Sequence, residues 1–257
     1  MTDRLEEAAQ ILKRSRFTTA FTGAGISVES GIPSFRGQDG LWEKYDPKVL
    51  DLQYFLSNPV ESWKVIREIF YDFIGAAKPN HAHLVLARME EEGMLGSTIT
   101  QNIDNLHQEA GLLMVSEFHG NSKRIRCLQC DRVYHSLDIS LENLPPTCRE
   151  CGGVLKPDFV FFGEAIPQQP LGEAYRVASL SEAFLIIGTT GEVMPANQIP
   201  LIAKEYGATI IEINPEPSNY TEHITDIFLQ GKATVIMQSL EKLLFPPALN
   251  DNQDGVD

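Results

Sequence analysis

The 257-residue chain carries 35 Asp and Glu against 21 Lys and Arg, a formal charge of −14, with 43% hydrophobic and 22% charged residues. Such a composition belongs to a folded globular protein and excludes collagen-like or wholly disordered chains. The negative charge opposes direct binding to nucleic-acid phosphates; it either favours a basic partner or simply maintains solubility.

In chain order, Leu5, Ala8, Ala9 and Leu12 recur at helical spacing within 3–16, and FTTAFTGAG then reads as a short buried strand ending in a glycine turn. No secretory signal is expected, because MTDRLEEAAQILKRSRF mixes acids and bases without an apolar core. After the Pro-, Gly- and aromatic-rich GIPSFRGQDGLWEKY, residues 61–77 place Trp63, Ile66, Ile69, Phe70 and Phe73 on one helical side. A further helix is expected from an Asn80 cap to about Glu92, stopping before Gly93. STITQN (97–102) and VSEFHG (115–120) are strand-like runs ending in polar residues. In open parallel sheets ligands gather at the carboxyl ends of strands, which is where this pattern puts Gln101, Asn102, Asp104 and His119.

A cysteine segment at 127–151 interrupts the alternation, which resumes with FVFFGE, a helix around 169–180, AFLIIGTT, a helix around 196–206, ATIIEIN, DIFLQG and a helix near 234–244. The tail from 250 to 257 reads as frayed. No apolar run approaches the roughly 20 residues of a membrane span, so a cytoplasmic location without membrane contact is expected.

Cys127, Cys130, Cys148 and Cys151 form Cys-x2-Cys-x17-Cys-x2-Cys. Two such knuckles bring four thiolates around one zinc ion, and a closed ligand set leaves no position for a reacting water, which favours a structural metal. Disulfides or redox thiols are the competing reading, disfavoured in a reducing compartment.

GAGIS at 23–27 follows a strand. Gly23 and Gly25 would let the backbone approach a pyrophosphate while Ala24, Ile26 and Ser27 open a helix whose amides favour an anion. The fingerprint is partial, because Val28 stands where a third glycine is usual and no acidic residue ends a second strand to hold a ribose. On its own the motif also fits a plain tight turn.

Company strengthens it. GAGIS, GIPSFRG, TQNID, HG, the paired knuckles, FGE, GTT and IN occur in one order, and with them the chain resembles the sirtuin family of NAD-dependent protein deacylases from about residue 10 to 245. The resemblance implies an α/β fold: a Rossmann-like large part at about 1–36, 80–120 and 158–249, and a small part made of a helical insertion at 37–79 and a zinc ribbon at 121–157. It implies NAD as co-substrate and one structural zinc. Gly23 to Ser27, Arg36, Gln101, Asn102, Gly188, Thr189, Thr190 and Asn214 are the implied NAD contacts. Phe35, Ile103 and Asp104 are the implied nicotinamide pocket.

His119 is the implied general base, with Asn102 as a second catalytic candidate. Val160, Phe162, Gly163 and Glu164 are the implied edge along which an acyl-lysine peptide lays a strand. The implied chemistry is attack of the acyl oxygen on the ribose anomeric carbon, through an alkylimidate, with His119 taking a ribose hydroxyl proton near neutrality. Nicotinamide, O-acyl-ADP-ribose and free lysine are the implied products. Protein ADP-ribosylation, or a non-catalytic NAD-sensing zinc module, are the alternatives. The sequence does not fix an oligomeric state, and a monomer is compatible with it.

Each of these residues also has a plainer role. A histidine at a strand end is often a satisfied structural group, and His81, His83, His107, His135 and His223 are read so. Asn102 and Asp104 could instead cap a following helix. Trp63, Phe70 and Phe73 read as core, with a hydrophobic acyl tunnel as the alternative. Family members preferring acidic acyl groups resemble one another in a Tyr-x-x-Arg pair that WKVIREIFYDF lacks, since Arg67 precedes Tyr71. A succinyl or malonyl preference is therefore disfavoured. Glu192, in GEVMPA after GTT, departs from the apolar residues usual there.

Overall fold

A computed structural model of the chain describes residues 2–35 and 40–246, with Phe73 and Ile74 described by their backbone alone. The frayed tail expected at 250–257 and the candidate Arg36 lie outside the described residues. Helix α1 (Thr2–Arg14) buries Leu5, Ala8, Ala9 and Leu12 as their spacing requires, and it leads into β1 (Thr18–Thr22), buried at all five positions. Three short helices follow, α2 (Leu41–Lys44), α3 (Leu52–Ser57) and α4 (Pro59–Ile66).

The expected single helix over 61–77 is divided. After α4 the chain widens into π-helical turns at Arg67–Phe73 and ends in a 3-10 turn at Ile74–Ala76. Two side chains of the widened stretch are committed elsewhere: Arg67 donates to the Leu141 carbonyl at 3.0 Å, and Tyr71 stacks on Trp63 at 6.0 Å between centroids. A π-turn re-aims side chains in this way where regular helical spacing would not.

Asn80 caps α5 (His81–Glu91), its side chain accepting from the Ala82 amide, and Gly93 ends that segment at φ +71. Then come β2 (Ser97–Thr100), α6 (Leu106–Glu109), β3 (Val115–Glu117), β4 (Gly120–Cys127), β5 (Val133–His135) and β6 (Leu155–Phe159). The chain finishes with α7 (Gln168–Leu180), β7 (Ala183–Ile187), α8 (Ile199–Glu205), β8 (Thr209–Asn214), β9 (Ile227–Gln230) and α9 (Ala233–Leu244). FVFFGE is therefore not a strand of the βα alternation. Its first residue ends β6, which pairs antiparallel with β4 in a separate sheet.

The larger sheet has six strands in the order β3-β2-β1-β7-β8-β9, all parallel. With the β4–β6 insertion set aside, this is the doubly wound order, in which the direction of winding reverses between the first strand and its next neighbour. Here that switch point lies between β1 and β7, the two strands that run into GAG and GTT.

Because both faces are covered, β7 (AFLII) reads as a continuous apolar run, and along the strands successive residues serve opposite layers. Ala20, Leu185 and Ile187 face α1, α5 and α9, while Phe21, Phe184 and Ile186 face α7 and α8.

The smaller sheet, β5-β4-β6, shares a third core with the helical insertion, built on Phe55, Trp63, Phe70, Ile125, Leu155 and Phe161. The Trp63 indole N–H donates to the Leu155 carbonyl at 2.8 Å, tying insertion to ribbon. Trp63 and Phe70 are core, as the plainer reading had it, and the side chain of Phe73 lies outside the described residues. No helix among the described residues is long and apolar enough to cross a membrane.

Candidate active site

At the switch point two turns meet backbone to backbone. The Gly25 amide donates to the Gly188 carbonyl at 2.8 Å and the Gly23 amide to the Ile187 carbonyl at 3.0 Å. A Cβ on Gly25 would fall 2.6 Å from the Gly188 Cα, and one on Gly188, which sits at φ +66, would fall 2.3 Å from the Ile26 nitrogen. These glycines are thus required first for turn-on-turn packing, a reason that spacing alone did not reveal. The helix expected after them is a seven-residue 3-10 segment, Ala24–Ser30. Asn80 holds it from outside, donating to the Ile26 carbonyl at 2.7 Å and to the Ser30 hydroxyl at 3.0 Å.

Gly188→Ala combines a left-handed backbone with overpacking, which together cost about 2–5 kcal/mol. Urea unfolding of that variant is expected to show a loss in this range; a loss under about 1 kcal/mol would mean that the two turns yield easily.

The carboxyl end of β2 supplies the floor. Asn102 is buried; its side-chain amide donates to the Gly23 carbonyl at 3.0 Å and to the Ser27 hydroxyl at 3.3 Å. Ser27 in turn donates to Asp104 Oδ2 at 2.7 Å, while Asp104 Oδ1 accepts from the Leu106 amide at the start of α6. Asp104 therefore caps α6 with one oxygen, its plainer role, and reaches the 23–27 turn with the other. Burial pushes its carboxyl above the usual carboxylate range, against the hydrogen bonds from Leu106 and Ser27. The Ile103 carbonyl accepts from the Ser122 amide and hydroxyl, at 3.1 and 2.6 Å, which fixes the backbone of the loop.

His119 follows β3. Its Nδ1 lies 3.1 Å from the Gln101 carbonyl, and a carbonyl can only accept, so Nδ1 carries the proton and Nε2 is left as the basic nitrogen. Burial lowers the His119 pKa from the ordinary histidine value, with the Gln101 bond acting in the opposite sense. Gln101 also donates from its side chain to the Thr189 hydroxyl at 3.1 Å, joining β2 to the GTT turn. Asn214, at the end of β8, donates to the Thr189 carbonyl at 3.1 Å. Thr190 is exposed, and its carbonyl accepts from the Asn219 amide at 3.0 Å.

The 160–164 segment leaves the small sheet beside His119, the Val160 amide donating to the His119 carbonyl at 2.8 Å. Phe162 exchanges both backbone groups with Leu50 and Leu52. The Val160 carbonyl and the Gly163 amide have no hydrogen-bond partner among the described residues, and the Phe162 side chain is 43% exposed. Glu164 turns back to the Phe161 amide and to the buried Lys156, at 2.9 Å each. Trp42 bridges this segment to the loop before it, 5.4 Å from the Phe35 ring and 6.1 Å from that of Phe162.

The Sir2 family model matches residues 23–195. The chain belongs to the Sir2 family. An NAD-dependent protein deacylase of Aeropyrum pernix is 47% identical over 244 residues, covering 93% of this chain and 96% of that protein. NAD-dependent protein deacetylase 1 of Pyrobaculum aerophilum is 43% identical, covering 93% and 94%. Among solved structures, a Sir2 homologue complexed with ADP-ribose superposes at a TM-score of 0.89 with 38% identity, covering 93% of this chain and 96% of that one. A Sir2 protein holding a deacetylated p53 peptide and 3'-O-acetyl ADP-ribose superposes at 0.88 with 34% identity, covering 93% and 97%.

The four cysteines of this Sir2-family chain are close together, their sulfurs all within 4.8 Å of one another. Cys127 and Cys151 are 3.5 Å apart and Cys130 and Cys148 are 3.7 Å apart, with all four thiols free. Bonds of about 2.3 Å to a tetrahedral zinc give sulfur edges near 3.8 Å, whereas a disulfide needs about 2.05 Å. The cluster fits zinc.

One site neighbour escaped the sequence reading. Trp42 was passed over within a loop-like stretch. His107 and His83 are packing residues, as their plainer reading has it: His107 is buried with Nε2 3.1 Å from the Thr22 hydroxyl, and it packs edge-on to the equally buried His83 at 4.9 Å. Burial holds both imidazoles below the ordinary value, His83 at about 4. Only a helical register for His83, on the inner face of α5, could have marked one of them as buried.

Proposed function

We propose that this chain removes acetyl or related acyl groups from protein lysines at the expense of NAD, releasing nicotinamide, O-acyl-ADP-ribose and free lysine. The observation that carries this reading is His119, with Nδ1 fixed on the carbonyl of Gln101 and Nε2 left basic, while the next residue, Asn102, leads into the Ser27–Asp104 hydrogen-bond chain. A cofactor sensor has no use for an oriented base. Sequence likeness to deacylases over more than nine-tenths of both chains supports the same reaction class.

NAD would supply a nicotinamide leaving group and an electrophilic ribose carbon. Gly23 to Ser27 and Gly188 to Thr190 would take its phosphates and adenosine side, together with Gln101, Asn214 and Arg36. The donor set fits: two turns open at the carboxyl ends of parallel strands, where anions and nucleotides gather. Phe35, Ile103 and Asp104 would hold the carboxamide and exclude water, which keeps a weak acyl nucleophile competitive.

His119 would accept a ribose hydroxyl proton at Nε2, and Asn102, anchored to Gly23 and Ser27, would orient the polar groups around it. The Val160 carbonyl and Gly163 amide would pair with the substrate backbone as an added strand, between the large part (1–36, 80–120, 158–249) and the small part (37–79, 121–157). The four cysteines would hold one zinc that does no chemistry. A cytosolic location, where thiols stay reduced, suits them.

Incubation with NAD and an acetyl-lysine peptide, followed by mass spectrometry, tests the reading. O-acetyl-ADP-ribose and a peptide lighter by one acetyl group are expected. A mass gain on protein with no deacylated peptide would instead make the chain an ADP-ribosyltransferase, and NAD binding without turnover across a panel of acyl peptides would leave it a sensor. The Phe70 and Trp63 core, with no Tyr-x-x-Arg pair, predicts acetyl peptides to be turned over faster than succinyl ones.

A further inference from the structure

Glu212 is a fully buried carboxylate within β8, and no lysine or arginine among the described residues pairs with it. Four side chains donate to it instead. Oε1 accepts from Asn214 at 2.9 Å, from Ser218 at 2.5 Å and from Thr221 at 3.1 Å; Oε2 accepts from Thr221 at 2.9 Å and from Thr225 at 2.7 Å. Burying a carboxylate is costly unless its lone pairs are met, so these hydroxyls and this amide have little freedom to leave it.

Three of the donors belong to the connection between β8 and β9, which has no regular helix of its own. Glu212 takes the place of one by gathering that connection around a single acceptor. Ser218, so held, accepts from the Tyr220 amide at 3.1 Å. Asn219, between them, donates from its backbone to the Thr190 carbonyl at 3.0 Å and from its side chain to the Gly191 carbonyl at 3.4 Å. The fourth donor, Asn214, uses the same side-chain amide to reach the Thr189 carbonyl. Two routes therefore run from one carboxylate to the GTT turn: Glu212 to Asn214 to Thr189, and Glu212 to Ser218 to Asn219 to Thr190.

We propose that Glu212 is the positioning residue for the adenosine-side half of the dinucleotide site, acting by fixing Asn214 and the 188–191 turn rather than by touching the nucleotide. It would serve the site from inside the sheet in place of the acidic strand-end residue that a dinucleotide fold commonly turns toward a ribose. The proposal rests on the functional reading of Thr189, Thr190 and Asn214 given above. Since His119 follows β3 and the 160–164 segment follows β6, both away from β8, weakening Glu212 should affect nucleotide affinity and leave peptide affinity alone.

Glu212→Gln replaces one acceptor oxygen with a donor facing hydroxyls that already donate. Ser218→Ala removes only the second route, from a half-buried loop position that tolerates the change. Calorimetry with ADP-ribose and steady-state kinetics on the full chain are the measurements. The expected result is a rise in ADP-ribose Kd and in KM for NAD of about tenfold for Glu212→Gln, and about threefold for Ser218→Ala. KM for the acetyl peptide should stay within twofold, and so should kcat at saturating NAD.

Unchanged ADP-ribose affinity in both variants would overturn the proposal, as would a parallel rise in peptide KM, which marks general loosening. If Glu212→Gln fails to fold, Ser218→Ala alone decides on the same criteria. Failure of the unsubstituted chain to bind ADP-ribose would remove the underlying site reading and this proposal with it, and is told apart because no variant is needed to see it.

Discussion

Replacing His119 with Ala is expected to lower kcat/KM for deacylation by about 10²- to 10⁴-fold, the usual worth of a positioned general base, with ADP-ribose affinity changed by less than about threefold. The split follows from the geometry. His119 is fixed by the Gln101 carbonyl at the end of β3, while the 23–27 and 188–190 turns are built by β1 and β7 without it. Nicotinamide release as fast as in the unsubstituted chain would remove His119 from the mechanism.

The pH profile carries a second signature of the same residue. Burial lowers the His119 pKa, so the basic form persists below the ordinary histidine range and is lost only as pH falls through the lowered value. The acid limb of kcat/KM is therefore expected to lie below about 6.5, the unperturbed histidine value. A limb above that value would indicate a different titrating group.

Removing the metal is the other change with a large effect. Cys148→Ala is expected to take zinc content from about one ion per chain to nearly none, because a structural site needs all four ligands. Activity should fall with it by at least about tenfold, since β6, which the knuckles brace, runs directly into Val160 and its bond to the His119 carbonyl. Metal analysis and peptide turnover on the same preparation check both parts. A metal-free wild-type preparation that remains folded and active would refute a structural role for the cluster.

The parts of this fold that were legible in sequence are those encoded locally. Asn80 before an apolar helical stripe and Gly93 after it fixed the bounds of α5, and AFLII took its place as a strand in the alternation, where the structure buries all five residues. Two knuckles 17 residues apart mark four thiols that the fold gathers into one cluster of a size that fits zinc. Strand-end polar residues at 101–104 and 119 pointed to one edge of the sheet, and the structure brings Gln101, Asn102, Asp104 and His119 together there with Ser27 and Thr189.

What was missed depends on contacts distant in sequence. An extended run such as FVFFGE carries no mark of which sheet it joins, and β6 pairs with β4, more than 25 residues away. The glycines at 23, 25 and 188 exclude each other's Cβ atoms across more than 160 residues, a constraint that no local motif expresses. Arg67–Phe73 keeps apolar spacing while its backbone widens, because Leu141 and Trp63 claim its side chains. Glu212 looks like an ordinary acid in a strand until Ser218, Thr221 and Thr225 fold back onto it.

The most direct test is a crystal structure of the chain with an acetyl-lysine peptide and a non-hydrolysable NAD analogue. The expected result has the pyrophosphate across the 23–27 turn, adenosine beside Asn214, and the nicotinamide-side ribose within hydrogen-bond reach of His119 Nε2, about 2.6–3.2 Å. An imidazole turned away from that sugar, or a dinucleotide bound elsewhere, would contradict the account.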